Sequence, residues 1–136
     1  MDLDRIDALM KGIYLRASSH KIVALLLVSV FLVSATVGLF NIDTYVTKIR
    51  SVPIFNQFQG MPMILAVAAL LIKIGGSLMM LSGVYPHLGV TVLSLFTILV
   101  TYLYHNPLID PSQLNNMLKN GSVLAGLILW GGVNAQ

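Results

Sequence analysis

Residues 62–81, PMILAVAALLIKIGGSLMML, decide the fold of this chain because they form an apolar run long enough to cross a lipid bilayer. An α-helix of about 20 residues rises about 1.5 Å per residue and so spans a hydrocarbon core roughly 30 Å thick. The run contains one charged residue, Lys73, near its middle. A lysine at that depth costs on the order of 3 kcal/mol unless it faces protein or water. The position of Lys73 therefore predicts that other helices surround it.

Small residues recur along the same run at spacings of three and four. The residues that share this helical face are Ala66, Ala69, Lys73, Gly76, Met80 and Gly83. Small side chains let membrane helices approach closely, because lipid provides no hydrophobic drive for helix association. This face is therefore predicted to pack against another helix, with Lys73 buried inside a bundle. The alternative is that Lys73 extends along its own aliphatic stem toward the nearer membrane interface.

The composition indicates an integral membrane protein with a single domain, residues 1–136. Hydrophobic residues make up 57% of the chain and charged residues 10%, whereas a soluble domain typically carries about 25% charged residues. The modest net charge of +3 suits contact with anionic lipid headgroups, so nucleic acid is not expected as a partner. Because the chain has no cysteine, disulfides and thiol redox chemistry within it are excluded.

Three further apolar runs predict an all-α fold, an integral membrane four-helix bundle. The predicted transmembrane segments are residues 22–40, 62–81, 88–104 and 118–133. Residues 41–61 form the longest connection, and their charged residues keep it out of lipid. Four crossings place both termini on one side of the membrane. That side carries four lysines and arginines and the other side three, so the positive-inside rule predicts by a margin of one that the termini are cytosolic.

The segment 2–17 differs from the spans because its polar and apolar residues alternate with a helical period. One side carries Leu3, Ile6, Met10, Ile13 and Ala17, and the basic residues lie elsewhere. This pattern predicts an N-terminal amphipathic helix that lies in the membrane interface. The alternative is a short helix docked on a partner protein.

Lys73 is expected to find its hydrogen-bond partner on the third span. The second and third spans form an antiparallel hairpin, and Lys73 lies about 12 Å from the connecting end. Ser94 and Thr97 lie at the same depth, so they are the predicted partners. No carboxylate occurs within the four predicted spans to pair with this lysine.

The three histidines do not predict a metal site. His87 and His105 bracket the third span and would lie about 27 Å apart in a straight helix. His20 is expected near His87, but two histidines without a nearby acid or cysteine make a poor site. Capping or interfacial roles are expected for all three residues.

Several motifs resemble those of the DoxX-like family of small four-helix membrane proteins. Gly60-Met61-Pro62 is similar to the Gly-x-Pro entry of the family's second helix, and residues 74–83, IGGSLMMLSG, resemble its Gly-Gly signature. His105-Asn106-Pro107 resembles the end of the family's third helix, and Asn120-Gly121 leads into an apolar run like that of its fourth. The same helices are distantly similar to the Surfeit-locus cargo receptor of the early secretory pathway.

The resemblance implies a membrane bundle and brings one difference with it. Family members often carry a glutamate just before the Gly-Gly pair, where this chain has Lys73-Ile74. Some relatives are subunits of thiosulfate:quinone oxidoreductases or are linked to quinones and redox stress. Replacement of the acid by lysine argues against an inherited role for that position in proton or redox chemistry.

These features predict a non-catalytic membrane protein that acts as a structural subunit of a larger assembly, such as a respiratory complex or a virion membrane. No phosphate-binding glycine loop, nucleophile constellation or carboxylate pair is evident, so neither catalytic residues nor cofactors are expected. The expected partners are the lipid bilayer and other membrane-protein subunits. Two alternatives stay open: a quinone-linked redox subunit, and a membrane receptor for cargo or lipid. A quinone-sized cavity beside Lys73 would favour the redox subunit.

Overall fold

The computed structural model describes residues 2–18 and 21–134, which form an all-helical protein. The helices are α1 (Leu3–Ser18), α2 (Lys21–Phe40), α3 (Ile42–Arg50), α4 (Met61–Ser82), α5 (Pro86–Tyr104) and α6 (Leu114–Val133). Two short 3₁₀ turns, Pro53–Phe55 and Pro111–Gln113, precede α4 and α6. The described residues contain no strand, so the prediction of an all-α fold is confirmed.

Three of the described helices, α2, α4 and α5, are long and apolar enough to cross a membrane. They begin and end within two residues of the predicted spans at 22–40, 62–81 and 88–104, and the integral membrane character of the chain is confirmed. The fourth predicted span, 118–133, lies within α6, which has 20 residues. Asparagines and Lys119 in its first two turns lower its hydropathy. That α6 crosses the bilayer therefore stays a prediction.

One hydrophobic core holds α2, α4, α5 and α6 together. Its buried members are Ala24, Val28 and Phe31 of α2, Met80 of α4, Val90 and Leu93 of α5, and Leu127 and Trp130 of α6. Helix α2 packs on α4, α4 on α5 and α5 on α6, and a smaller contact between α6 and α2 closes the ring. Four helices therefore share one core, as a four-helix bundle requires.

Helices α4 and α5 approach each other most closely at two glycines. A Cβ atom placed on Gly89 would lie 2.7 Å from the carbonyl oxygen of Gly76, and one placed on Gly76 would lie 2.7 Å from Cγ of Leu93. Of the predicted packing face, Ala66, Lys73, Gly76 and Met80 are buried, and Ala69 is half-buried. Gly83 is exposed and lies outside this face, because its φ of 76° ends α4 in the left-handed conformation that favours glycine.

Residues 41–61, predicted as the longest connection, contain a helix that the sequence pattern did not predict. Helix α3 carries Ile42, Val46 and Ile49 on one side, and Val46 and Ile49 pack against Ala66 at the start of α4. Asp43 lies in its first turn and Arg50 in its last, where each charge complements the helix dipole. This amphipathic pattern spans only two turns, which is too short to stand out beside the apolar runs.

Helix α1 coincides with the predicted amphipathic segment 2–17 and is largely exposed. It makes only small contacts with α2 and α6. Leu3, Met10 and Ile13 keep 80%, 38% and 49% of their surfaces exposed, so most of the apolar side of α1 is not covered by the bundle. Its predicted location in the membrane interface, which would cover that side, stays a prediction.

Candidate functional site: a cavity around Lys73

Lys73 lies inside the bundle with 6% of its surface exposed. Its Nζ atom donates a hydrogen bond to Oγ of Ser34 on α2 at 2.8 Å. The structure therefore differs from the expected pairing with Ser94 or Thr97. Thr97 donates instead to the carbonyl oxygen of Leu93 in its own helix at 2.8 Å, and Oγ of Ser94 has no hydrogen-bond partner among the described residues.

The reason for this difference is geometric. Depth along the α4–α5 hairpin identifies the residues level with Lys73, but it does not say which neighbouring helix the side chain meets. Lys73 lies where α4 packs against both α2 and α5. Its four-carbon stem carries the amine to Ser34 on α2.

Two aromatic rings flank the amine of Lys73. Its Nζ atom lies 4.9 Å from the ring centroid of Tyr45 on α3 and 5.5 Å from that of Phe96 on α5. A cation within about 6 Å of a ring centroid is attracted to the electron-rich face of the ring. The Lys73 amine is thus surrounded by one hydroxyl group and two ring faces, whereas in a buried ion pair a carboxylate would contact it.

A cavity of about 400 Å³ lies beside Lys73, toward the end of the bundle that carries α3. Its volume falls within the roughly 300–1,000 Å³ range of small-molecule sites. Most lining side chains are apolar or aromatic. They include Val30, Phe31 and Ser34 of α2, Tyr45 and Lys48 of α3, Ala69, Ile72 and Lys73 of α4, Phe96, Val100 and Tyr104 of α5, and Asn120 of α6. The arrangement suits a flat apolar molecule with a polar group at the lysine.

Comparison with known families identifies the chain. The family model described as DoxX matches residues 21–106. The chain belongs to the DoxX family. A comparison with curated proteins and with solved structures gives no match. The family resemblance inferred from residues 60–62, 74–83 and 105–107 is thereby confirmed.

The segment of this DoxX protein that matches the family contains almost the whole cavity. It begins at the first residue of α2 and ends two residues after α5. Every residue that lines the cavity lies inside residues 21–106 except Asn120 of α6. Helix α1 lies entirely outside the matched segment, and so does α6.

The outer end of the cavity is built from α3, the end of α5 and the start of α6. Nζ of Lys48 lies 5.3 Å from the ring centroid of Tyr104. Asn120 donates a hydrogen bond to Oγ1 of Thr101 at 3.0 Å, and Nδ1 of His105 lies 2.8 Å from Oε1 of Gln113. These contacts tie α6 to the end of α5 and give the outer end of the cavity a fixed shape.

The hydroxyl group of Tyr45 stays protonated at neutral pH. Burial raises the pKa of this phenol, because a charged phenolate loses its hydration, and neighbouring Tyr104 raises it further. A neutral phenol can donate a hydrogen bond. Tyr45 lines the cavity, so its phenol is a further donor besides the amines of Lys73 and Lys48.

The two described histidines of the DoxX protein, His87 and His105, lie at opposite ends of α5. Nε2 of His87 is 3.2 Å from the carbonyl oxygen of Gly131, which links the start of α5 to the end of α6. His105 contacts Gln113 at the opposite end of α5, and His20 lies outside the described residues. Within residues 2–18 and 21–134, no three histidine, cysteine or acidic side chains lie close enough together to hold a metal ion.

Three members of the site were not assigned to it from the sequence. Ser34 lies in the first span, where no sequence pattern marks it as a partner of Lys73, and Tyr45 lies in the connection 41–61, for which no helix was predicted. Phe96 lies at the depth of Lys73 in the hairpin, and this depth was the one sequence signal that could have identified it. Ser34 and Tyr45 could not be assigned in this way, because the sequence does not show that α2 and α3 lie next to α4.

Proposed function

We propose that this DoxX protein binds a lipid-soluble quinone in the cavity beside Lys73 and acts as a quinone-linked redox subunit in the membrane. The observation that carries the proposal is the cavity of about 400 Å³, with a buried lysine amine on one wall. Of the functions that the sequence left open, the quinone-linked redox subunit is the one that a quinone-sized cavity beside Lys73 was expected to favour.

The chemistry of the walls fits a quinone ring. Phe96 and Tyr45 offer aromatic faces, and aliphatic side chains of α2, α4 and α5 complete an apolar slot. Lys73 has three N–H donors and uses one of them on Ser34. A quinone carbonyl oxygen is an acceptor that can take another. A donor in this position would stabilise the negative charge that develops on the oxygen when the ring is reduced.

The electron donor for such a ring would be a partner protein or a soluble reductant. The chain itself has no cysteine, so thiol-based electron transfer within it is excluded. The role of this protein would then be to hold the quinone, orient its carbonyl oxygen and exclude lipid from the ring.

The test is equilibrium binding of 2-methyl-1,4-naphthoquinone to the purified protein in phosphatidylcholine nanodiscs. A hydrogen bond to a charged group contributes about 1.5–3 kcal/mol, so Lys73→Met should weaken binding about tenfold or more. Ala69→Phe, which places a ring in the cavity, should abolish it. Lys119→Met is the matched control, because Lys119 is an exposed lysine of α6 that does not line the cavity.

Unchanged affinity in both Lys73→Met and Ala69→Phe would show that the quinone does not use this cavity, and the proposal would fail. Binding of a phospholipid or fatty acid with displacement of the quinone would support the receptor alternative instead.

The structural-subunit hypothesis keeps one supporting observation of its own. Gly121 and Gly132 of α6 are exposed, and a Cβ atom at either position would meet nothing within 4 Å. Exposed glycines on a membrane helix leave room for a helix of another subunit. Gly121→Leu and Gly132→Leu should then shift the protein to a smaller species in native gels of solubilised membranes. Ser122→Leu is the control and should cause no shift, because Ser122 is also exposed but lies about 100° around the helix from Gly121.

A further inference from the structure

The cavity proposed for the quinone carries positive charge that its own lining does not balance. Lys73 lies on its inner wall and Lys48 near its outer end. No aspartate occurs among the described residues that line it, and the chain contains no glutamate at all. The described lysines and aspartates that line the cavity are therefore two lysines, Lys48 and Lys73, with no acidic residue between them.

The amine of Lys73 is also short of hydrogen-bond acceptors. Among the described residues, only Oγ of Ser34 accepts a hydrogen bond from it, and Tyr45 and Phe96 offer ring faces. Removing an ammonium group from water is costly, and a ring face offsets only part of that cost. An oxyanion next to the amine would offset the remainder and take up the free N–H donors.

We propose that the cavity selects a ring ligand whose polar end is negatively charged: an ionised ring hydroxyl, as in a hydroxyquinone or a deprotonated quinol, over a neutral quinone of the same shape. The anionic oxygen would contact the Lys73 amine, and Lys48 would add attraction from the outer end. This selection deepens the proposed function and rests on it, because it concerns the same cavity and the same class of ring.

The test compares two probes of nearly equal size at pH 7 in phosphatidylcholine nanodiscs. The ring hydroxyl of 2-hydroxy-1,4-naphthoquinone is ionised at this pH, and 2-methyl-1,4-naphthoquinone is neutral. Both probes would accept a charge-assisted hydrogen bond from the Lys73 ammonium, but only the anion adds direct attraction between opposite charges, so the anion should bind about tenfold more tightly. The lipid is zwitterionic, so the bilayer itself adds no net charge to the comparison.

Three lysine-to-glutamine variants test whether the positive charge of each lysine causes the preference for the anion. Lys73→Gln removes the positive charge but keeps a polar side chain, so it should reduce the preference for the anion to the roughly two- to threefold that Lys48 supplies. Lys48→Gln is an exposed change that leaves the buried wall intact, and it should lower the preference about two- to threefold through the lost field. Lys119→Gln, outside the cavity, should keep the full preference.

The outcomes distinguish this inference from the proposed function. Tight binding of the neutral quinone with no preference for the anion overturns the inference and leaves quinone binding in place. Failure of the wild type to bind either probe overturns both. If Lys73→Gln does not fold, the reduced preference of Lys48→Gln supports the inference, and an unchanged preference in that variant overturns it.

Discussion

At the scale of single residues, Lys73 brings an amine into an apolar bundle without a carboxylate to pair with. Its burial was predicted from the small residues that share its face of α4, since such residues mark a packed side. The identity of its partner was not predictable, because sequence spacing gives the depth of Lys73 but not its neighbour across the bundle. Ser34, Tyr45 and Phe96 come from three different helices.

A double-mutant cycle on Ser34 and Lys73 tests this environment. Ser34→Ala removes the acceptor of a buried amine and should cost about 1–3 kcal/mol of stability. Lys73→Met replaces the amine with an apolar side chain of similar length, so stability should hold or rise. In the Lys73→Met background, Ser34→Ala should cost almost no stability, because the amine that needs the acceptor is gone.

Thermal unfolding in detergent measures the four proteins of the cycle. Ser29→Ala is the control, because the Ser29 hydroxyl donates to the carbonyl oxygen of Leu26 within the same helix. An equal cost of Ser34→Ala in both backgrounds would mean that the hydroxyl does not hold Lys73.

Lys73→Glu should be less stable than Lys73→Met. The faces of Tyr45 and Phe96 carry negative partial charge, which attracts a cation and repels a carboxylate. The substitution restores the residue type common in this region of DoxX-like relatives, but it does so in surroundings built for a cation. The amount of folded, monodisperse protein recovered from membranes measures the difference; equal recovery of both variants would contradict this account.

At the scale of elements, the contact between α4 and α5 depends on two missing side chains. Gly76 and Gly89 let the helices approach until a Cβ atom at Gly89 would meet the backbone of α4 at 2.7 Å. Backbone cannot move aside as the end of a side chain can, so the two helices would have to separate. The Gly-Gly motif signalled this contact in the sequence, although Gly89 carried no such signal of its own.

Gly89→Ala should therefore destabilise the protein by about 1–3 kcal/mol through overpacking. Gly75→Ala is the matched control, because a Cβ atom there meets nothing within 4 Å. Alanine favours a helix interior over glycine by about 1 kcal/mol, so this control should be neutral or stabilising. The midpoints of thermal unfolding of the two variants measure this difference. A similar loss of stability in Gly89→Ala and Gly75→Ala would show that separation of α4 and α5 is not the cause.

Helix α3 shows where the sequence was insufficient at this scale. The long apolar spans were predicted within two residues, since membrane-length hydrophobic runs have few alternative explanations. The two turns of α3 follow from Val46 and Ile49 packing on Ala66, which is a tertiary contact. Because α3 supplies Tyr45 and Lys48, missing it also hid the outer half of the cavity.

At the scale of the whole molecule, four crossings with both termini on one side remain the expected topology. The chain has no cysteine, so a single cysteine introduced at position 2, 54 or 136 is the only labelling site. Membrane-impermeant maleimide should label positions 2 and 136 from the same side and position 54, in an exposed turn, from the other. Labelling of positions 2 and 136 from opposite sides would mean that α6 does not cross.

Because almost the whole cavity lies within residues 21–106, the residues that would bind a ligand are largely distinct from those of α1, which could contact other proteins. Nearly all residues proposed to bind the ligand lie in the middle of the chain, whereas α1 precedes this middle, is largely exposed and lines no part of the cavity. Substitutions on the exposed side of α1 would leave the cavity unchanged, whereas substitutions in α6 would affect it through Asn120 and the shared core. One ancestral site could in this way be recruited into different assemblies, each recognising its own set of neighbours while handling the same small molecule.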